Sequence, residues 1–152
     1  AFFLDSSAVV KRYAAETGSA WITSLTDPAT GNACWIASVT RVEILAALYL
    51  KVRTGEVILA QAQQAEQAFR SELGSHFRLI AATPAIFDHA MELVAKHPLR
   101  AYDAIQLACA LHLQSQCVAL GILVPSLISA DLDLNRAAAA EGLVIDDPNQ
   151  HP

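Results

Sequence analysis

The sequence predicts an α/β protein built on a central, mainly parallel sheet of about five strands. Short apolar segments alternate along the chain with longer helical segments, and this alternation is typical of a parallel sheet that helices cover on both faces. The predicted strands span residues 2–5, 33–38, 77–81, 127–130 and 143–145. A chain of 152 residues has the length of one domain with a sizeable core.

Helical periodicity and capping residues define the segments between the strands. Thr83 and Pro84, for example, supply a cap and a first-turn proline for a helix that ends before Pro98. The other predicted helices run from Ser6 or Ser7 to about residue 15, and over 17–25, 40–52, 58–73, 101–114 and 132–141. We therefore expect one domain over residues 1–147, followed by a polar, frayed tail over 148–152.

Composition and charge exclude several classes of protein. Hydrophobic residues make up 54% of the chain and charged residues 16%, which excludes a disordered or coiled-coil protein. Residues 104–130 carry no formal charge, but polar side chains such as Gln106 and Gln114 interrupt them, so we expect no membrane span. The net charge of −5 weighs mildly against an extensive nucleic-acid surface.

The cysteines and the amino terminus favour a cytoplasmic protein. Cys34, Cys109 and Cys117 are odd in number, form no CxxC pair and lie among apolar residues, which suits buried thiols in a reducing compartment. No targeting signal is evident, because Asp5 precedes any long apolar run.

Four acidic residues follow predicted strands or lie in the first turns of predicted helices: Asp5, Glu43, Asp103 and Asp131. In a parallel sheet these positions meet at the carboxyl edge, where ligands bind. Two carboxylates about 4 Å apart repel by roughly 4 kcal/mol at an effective dielectric constant near 20. A convergent group of four therefore indicates a hard divalent cation, Mg²⁺ or Mn²⁺.

Each of these acids also has a purely structural interpretation. Asp5 and Asp131 are suited to cap the helices that follow them, and Asp133 is suited to share that role with Asp131. Thr40 and Glu43 fit a capping box, and the helix dipole favours an acid at position 103. The sequence does not decide whether Asp131 or Asp133 is the fourth acid of a site.

Five segments resemble, in order and with similar spacing, the motifs of the PIN domain family, and most closely those of its VapC-type toxins. They are residues 3–11 (FLDSSAVVK), 38–43 (SVTRVE), 99–108 (LRAYDAIQLA), 127–131 (LISAD) and 138–143 (AAAEGL). The resemblance implies a three-layer α/β/α fold and Mg²⁺- or Mn²⁺-dependent hydrolysis of RNA. It further implies a homodimer and a cognate antitoxin protein.

The resemblance also implies roles for individual residues. Asp5, Glu43, Asp103 and Asp131 match the acidic metal-site positions, and Ser7 and Ser129 match small hydroxyl positions beside the first and last acids. From their closeness to the acids along the chain, we expect Arg100 and Lys11 to contact flanking phosphates, and Arg12 and Arg41 are weaker candidates. The part of the predicted helix 58–73 near residues 61–69, and the region of Trp21, carry amphipathic faces suited to bind an antitoxin or a second subunit.

Alternative functions remain open at this stage. The main one is a PIN-like domain that binds RNA or protein without cleaving it. An aspartyl phosphatase is disfavoured because Ser7 stands where a second acid would be required, and no glycine-rich turn for a dinucleotide follows the first strand. A receiver-type signalling domain is disfavoured because the cluster of acids before its first helix is missing.

Overall fold

Five parallel strands form the central sheet, which we describe from a computed structural model over residues 1–151. The strands are β1 (Phe2–Leu4), β2 (Cys34–Ala37), β3 (Arg78–Ile80), β4 (Ser126–Ile128) and β5 (Ile145–Asp146). Their order is β3-β2-β1-β4-β5, and every neighbouring pair is parallel. The predicted five-stranded α/β architecture is confirmed. Each strand is shorter than predicted, and β5 begins at the last residue of the predicted segment.

Helices occupy most of the connections between the strands. They are α1 (Ser6–Val9), α2 (Ser19–Leu25), α3 (Thr40–Arg53), α4 (Leu59–Glu72), α5 (Pro84–Lys96), α6 (Ala101–Ala119) and α7 (Leu132–Ala140). Short 3-10 turns span Val10–Arg12, Pro28–Thr30 and Pro148–Gln150. The helix predicted to reach residue 15 is wrong in length. Residues 8–11 are all buried, and a straight surface helix does not bury four consecutive side chains on one face.

Helix α6 is longer than predicted because its buried face continues past the polar residues at its centre. Leu113 and Cys117 are buried on that face, whereas Ser115 and Gln116 point outwards. The polar residues therefore mark the exposed side of the helix and not its end. Within residues 1–151, none of the helices combines the length and apolarity that crossing a membrane requires.

The two faces of the sheet build two separate apolar layers. Successive strand residues point to opposite faces, so Phe3 and Leu127 pack with α5, α6 and α7. Leu4 and Ile128 pack on the other side with α1 to α4. This arrangement explains why the strands are apolar without alternation, and it buries the sheet between two helical layers.

The carboxyl-terminal segment packs against the domain, contrary to the expected frayed tail. Lys11 Nζ donates a 2.9 Å hydrogen bond to Asn149 Oδ1, and the ring of His151 stacks on Trp21 with 4.0 Å between centroids. Gly18, with φ of 83°, leaves space for the backbone of Pro148. Residues 146–151 thus contact the α1–α2 region, and Pro152 lies outside the described residues.

We predict that Gly18→Ala destabilises the protein more than Gly74→Ala. Both glycines have positive φ, which costs an L-residue about 1–2 kcal/mol, but a Cβ at Gly18 would lie 2.2 Å from the Pro148 carbonyl oxygen. Gly74 has no atom within 4 Å of that position and is the matched control. Urea unfolding should give a lower free energy of unfolding for Gly18→Ala. Equal values for both variants would contradict the described packing of residues 146–151.

Candidate functional site

A cleft of about 260 Å³ opens at the carboxyl edge of the sheet. It lies beside β1 and β4, where the chain order of the strands reverses, and ligands of open parallel sheets bind at such points. The structure brings all four predicted acids to this cleft, together with two of the predicted accessory residues. Its lining includes Asp5, Glu43, Asp103, Asp131, Ser7 and Arg100.

Asp5 follows β1 directly and is the most deeply buried of the four acids, with 2% of its surface exposed. Its Oδ1 accepts hydrogen bonds from Ser7 Oγ at 2.8 Å and from the Ala8 backbone N–H at 3.1 Å. The second bond caps α1, so the structural and functional interpretations of this residue are compatible. Burial raises the pKa of Asp5 to about 7, and the nearby charge of Glu43 contributes to the rise.

Glu43 lies in the first turn of α3, but the capping box predicted with Thr40 does not form. The cap of α3 is Val39, and the Glu43 side chain makes no bond back to the helix start. Its Oε1 instead accepts from Ser6 Oγ at 3.2 Å, and its Oε2 accepts from Gln106 Nε2 at 2.7 Å. Burial raises the pKa of Glu43, against the effect of these two donors.

Asp103 lies in the first turn of α6 and brings a third carboxylate to the cleft. Burial raises its pKa, and the charge of Asp131 raises it further. The charge of Arg100, the residue that precedes α6, acts in the opposite direction. The influence of Asp131 on Asp103, and of Asp103 on Glu43, shows that these acids interact across the cleft.

Of the two adjacent acids at the start of α7, Asp131 lines the cleft. Its Oδ1 caps the helix by accepting from the backbone N–H groups of Asp133 and Leu134, at 2.9 and 2.8 Å. Asp133 instead forms an exposed ion pair with Arg136 at 3.1 Å. Asp131, and not Asp133, is therefore the fourth carboxylate at this cleft.

The two predicted serines form hydrogen bonds with two of the acids, Ser7 with the Asp5 side chain and Ser129 with the Asp131 backbone. Ser7 Oγ donates to Asp5 and accepts from the Ala130 N–H at 2.8 Å, which joins the loops after β1 and β4. Ser129 is fully buried, and its Oγ accepts from the Asp131 N–H at 3.1 Å. Ser129 thus holds the loop that carries Asp131.

The prediction that Lys11 contacts substrate at the cleft is wrong. Lys11 is 5% exposed, and its Nζ donates to the Thr17 carbonyl oxygen and to Asn149, besides its ion pair with Glu16. The ammonium group of Lys11 is therefore fully engaged by neighbouring residues of the fold.

Arg12 also binds another part of the fold, because its Nε and Nη2 donate hydrogen bonds to Glu72. Arg41 is exposed near the start of α3, outside the cleft lining.

Two polar side chains that contact a cleft acid were not predicted as site residues: Ser6 and Gln106. Each donates a hydrogen bond to one oxygen of Glu43. A signal for Gln106 is present in the sequence, because it is a polar residue within the apolar helix segment 104–111, three positions after Asp103. Ser6 has no comparable signal, since a serine after a strand is explained by helix capping alone.

The donor set of the cleft fits a hard divalent cation. All four side chains offer carboxylate oxygen atoms as ligands. Burial and mutual repulsion raise the pKa of Asp5, Glu43 and Asp103, so it costs free energy to keep these groups ionised. A bound cation would offset that cost. Among residues 1–151, no three acidic, histidine or cysteine side chains converge into a ready-made metal cluster. Carboxylates that are spread around a cleft in this way suit Mg²⁺ or Mn²⁺, because Mg²⁺ in particular is bound by one or two carboxylates and retains several water ligands.

We predict that Asp5→Asn stabilises the metal-free protein at pH 8 and much less at pH 4. Because the folded-state pKa of Asp5 is about 7, against 3.8 in the unfolded chain, the native state binds its proton more tightly. Its stabilising contribution is complete below pH 3.8 and is lost as the pH rises towards 7. Asparagine keeps the capping oxygen without ionising.

Thermal unfolding in EDTA tests this, and we expect the Tm gain of Asp5→Asn to reach several degrees at pH 8. Asp27→Asn is the control, because Asp27 also caps a helical turn but is exposed and distant from the cleft. An equal Tm difference between Asp5→Asn and the wild type at both pH values would contradict the raised pKa of Asp5.

Comparison with known proteins agrees with the observed fold. A chain from a toxin–antitoxin complex of Klebsiella pneumoniae superposes with a TM-score of 0.61 at 17% identity, covering 97% of this chain and 98% of that one. The protein PAE2754 of Pyrobaculum aerophilum gives 0.61 at 20% identity, over 99% and 85% of the two chains. VapC20 of Mycobacterium tuberculosis, a toxin that cleaves the sarcin-ricin loop, gives 0.61 at 18%, over 95% and 97%.

The sequence comparison is decisive about the family. None of the curated proteins is significantly similar to the chain. The family described as PIN domain, however, matches residues 2–140, which is nearly the whole chain. With the observed three-layer fold and the acidic cleft at the carboxyl edge of its sheet, the chain belongs to the PIN domain family.

Proposed function

We propose that this protein is a divalent-metal-dependent endoribonuclease and the toxin of a type II toxin–antitoxin pair. The observation that carries the proposal is the gathering of four carboxylates at one cleft of a PIN domain. The cap that Asp5 provides to α1 does not require a charge, and burial of that charge costs stability, so a structural role alone does not explain an acid at this position. The similarity in fold to the Klebsiella chain and to VapC20 supports the toxin assignment.

The proposed ion is Mg²⁺ or Mn²⁺, with Asp5 and Asp103 as its direct ligands. Glu43 either binds the ion or orients the attacking water, and Asp131 completes the site directly or through a water molecule. The remaining oxygen of Asp131 supports this role, since Oδ1 is the atom that caps α7. When bound, the ion supplies Lewis-acid stabilisation of the charge that develops on the phosphodiester oxygens.

The proposed reaction is the hydrolysis of one P–O bond of RNA. A water molecule attacks phosphorus in line, the bond to the leaving oxygen breaks, and the products end in a phosphomonoester and a hydroxyl group. The Glu43 carboxylate lines the cleft and is held by Ser6 and Gln106, which places it to bind the ion or to orient the attacking water. The proton that the water loses balances the one that the leaving oxygen gains. No covalent enzyme intermediate is involved, so no serine or cysteine nucleophile is required.

Arg100 is the basic residue that we assign to the substrate. It lines the cleft beside Asp103, and a guanidinium group there is suited to contact the phosphate next to the one that is cleaved. Ser7 and Ser129 act on the acids and not on RNA, through their bonds to Asp5 and to the Asp131 backbone. Cationic contact with RNA is thus local, which reconciles nucleic-acid binding with a net charge of −5.

The proposal includes two protein partners and a cytoplasmic location. A cognate antitoxin is supported by the similarity to a chain of a toxin–antitoxin complex. The three cysteines are free and buried, as expected in a reducing compartment.

The proposed homodimer is supported by an apolar groove of about 310 Å³ between α5 and α6. Phe87 and Met91 in this groove are 45% and 66% exposed.

We predict that cleavage of RNA requires Mg²⁺ or Mn²⁺ and both proposed direct ligands. Asp5→Asn and Asp103→Asn should each lower the cleavage rate by about 100-fold or more, because each removes a charged oxygen ligand from the ion. The measurement is gel analysis of a labelled RNA mixture incubated with each variant, with the metals or with EDTA.

Asp88→Asn, which changes an exposed acid on α5, is the control and should cleave at the wild-type rate. Cleavage that continues in EDTA, or that neither site variant affects, would contradict the proposed chemistry. Binding of RNA without any cleavage by the wild type would instead support the alternative of a PIN-like binding domain.

We predict that the wild type sediments as a dimer and that Met91→Glu shifts it towards the monomer. The substitution places a charge on the most exposed of the large apolar side chains in the α5–α6 groove, where contact with a second copy would bury it at a high cost. Analytical ultracentrifugation measures the change. Val118→Glu, on an exposed position outside that groove, is the control. A monomeric wild type, or a Met91→Glu dimer of unchanged affinity, would contradict this interface.

A further inference from the structure

Gln106 is a buried amide in the most apolar helix of the protein. It lies on α6 among buried alanine, leucine and cysteine side chains and is 1% exposed. Its Oε1 is buried and has no hydrogen-bond partner. Buried polar atoms are rarely left unpaired because they lose their hydrogen bonds to water. A residue retained for packing alone would be better replaced by leucine or methionine, so the amide requires another explanation.

The amide hydrogens of Gln106 provide that explanation. Nε2 donates to Thr40 Oγ1 at 2.8 Å and to Glu43 Oε2 at 2.7 Å. Rotating the amide by half a turn would place Oε1 against the carboxylate of Glu43, where two acceptors would repel. The observed orientation therefore serves Glu43, at the expense of leaving Oε1 unpaired.

The position of Gln106 along α6 gives this contact a function. Asp103 lies three residues earlier on the same helix, so the two side chains share a face and point towards the cleft region. Glu43 is carried by α3, a different helix. The contact to Gln106 thus fixes the position of one cleft acid relative to the helix that bears another.

We propose that Gln106 is a positioning residue that holds the Glu43 carboxylate in the orientation required for divalent-metal binding. With Ser6 bound to Oε1 and Gln106 bound to Oε2, the carboxylate plane is fixed before an ion arrives. Without Gln106, the Ser6 contact at 3.2 Å is the remaining hydrogen bond to that carboxylate among residues 1–151, and the group is free to rotate. This inference rests on the proposed function and, of the two roles given to Glu43 there, takes the one in which its carboxylate binds the ion.

The experiment compares Mn²⁺ binding by wild type, Gln106→Met and Thr40→Val. Loss of the free Mn²⁺ signal in electron paramagnetic resonance gives the dissociation constant without any activity assay. Gln106→Met removes both donors but keeps an unbranched side chain, and we expect its dissociation constant to rise by about tenfold or more. Its Tm without metal should stay within a few degrees of wild type, since the unpaired Oε1 is removed as well.

Thr40→Val is the matched control, because it removes the other acceptor of Gln106 and leaves the bond to Glu43. Its Mn²⁺ affinity should remain within about twofold of wild type on this reasoning. Equal losses in Thr40→Val and Gln106→Met would mean that the link between α3 and α6 matters only structurally, and would overturn the inference. So would wild-type affinity in Gln106→Met.

If Gln106→Met fails to fold, Gln106→Leu tests the same point. It also removes the amide donors, and Mn²⁺ affinity should again fall by about tenfold or more. Wild-type affinity in that variant would overturn the inference. If the wild type binds no Mn²⁺, the result contradicts the proposed function and, with it, the assigned role of Gln106. If the wild type and Gln106→Met bind Mn²⁺ equally well, the result contradicts only the assigned role of Gln106.

Discussion

The structure depends on one electrostatic constraint, the burial of negative charge at the carboxyl edge of the sheet. Asp5 is almost fully enclosed, and three more carboxylates line the same cleft. Burial raises the pKa of Asp5, Glu43 and Asp103, and like charges add to the rise in each. Neutral donors meet these carboxylates: Ser7 and a backbone N–H at Asp5, and Ser6 with Gln106 at Glu43. In the part of the chain that the structure describes, Arg100 is the one basic side chain that lines the cleft, so most of this charge has no basic partner there.

The rest of the fold serves to bring that charge together. A parallel sheet aligns the carboxyl ends of its strands, and the order β3-β2-β1-β4-β5 opens a crevice between the helices that leave β1 and β4. The loops that carry Asp5 and Asp131 are short, because α1 begins directly after Asp5 and α7 directly after Asp131. The helical layers on both faces of the sheet hold apolar side chains on both sides of the central strands β1, β2 and β4, so the core of the domain is built from residues other than the acids of the cleft.

The sequence was sufficient to predict the sheet and the gathering of the acids, because both follow from local patterns. Apolar strands end at defined residues, and parallel pairing then determines where Asp5 and Asp131 meet. It was not sufficient for Lys11, since nearness to Asp5 along the chain says nothing about the direction of a side chain that turns towards Asn149. Contacts between distant segments were equally beyond reach. The bond from Gln106 to Glu43 joins residues 63 positions apart.

Local motifs also misled where two interpretations shared the same residues. Thr40 and Glu43 match a capping box, but Val39 is the cap of α3, and the Glu43 side chain turns towards α6 and accepts from Gln106 Nε2. The carboxyl-terminal segment looked like a free tail because its composition is polar. Its ordered contacts come from single partners, namely Trp21 for His151 and Lys11 for Asn149, which no periodic pattern encodes.

The hydroxyl of Ser7 has a mechanical consequence. It donates to Asp5 and accepts from the Ala130 N–H, and so links the two loops that border the mouth of the cleft. Any widening of that mouth to admit a bulkier strand would stretch the bond from Ala130 to Ser7 Oγ, the same oxygen atom that donates to Asp5. The width of the cleft mouth and the orientation of Asp5 are therefore coupled through one hydroxyl group.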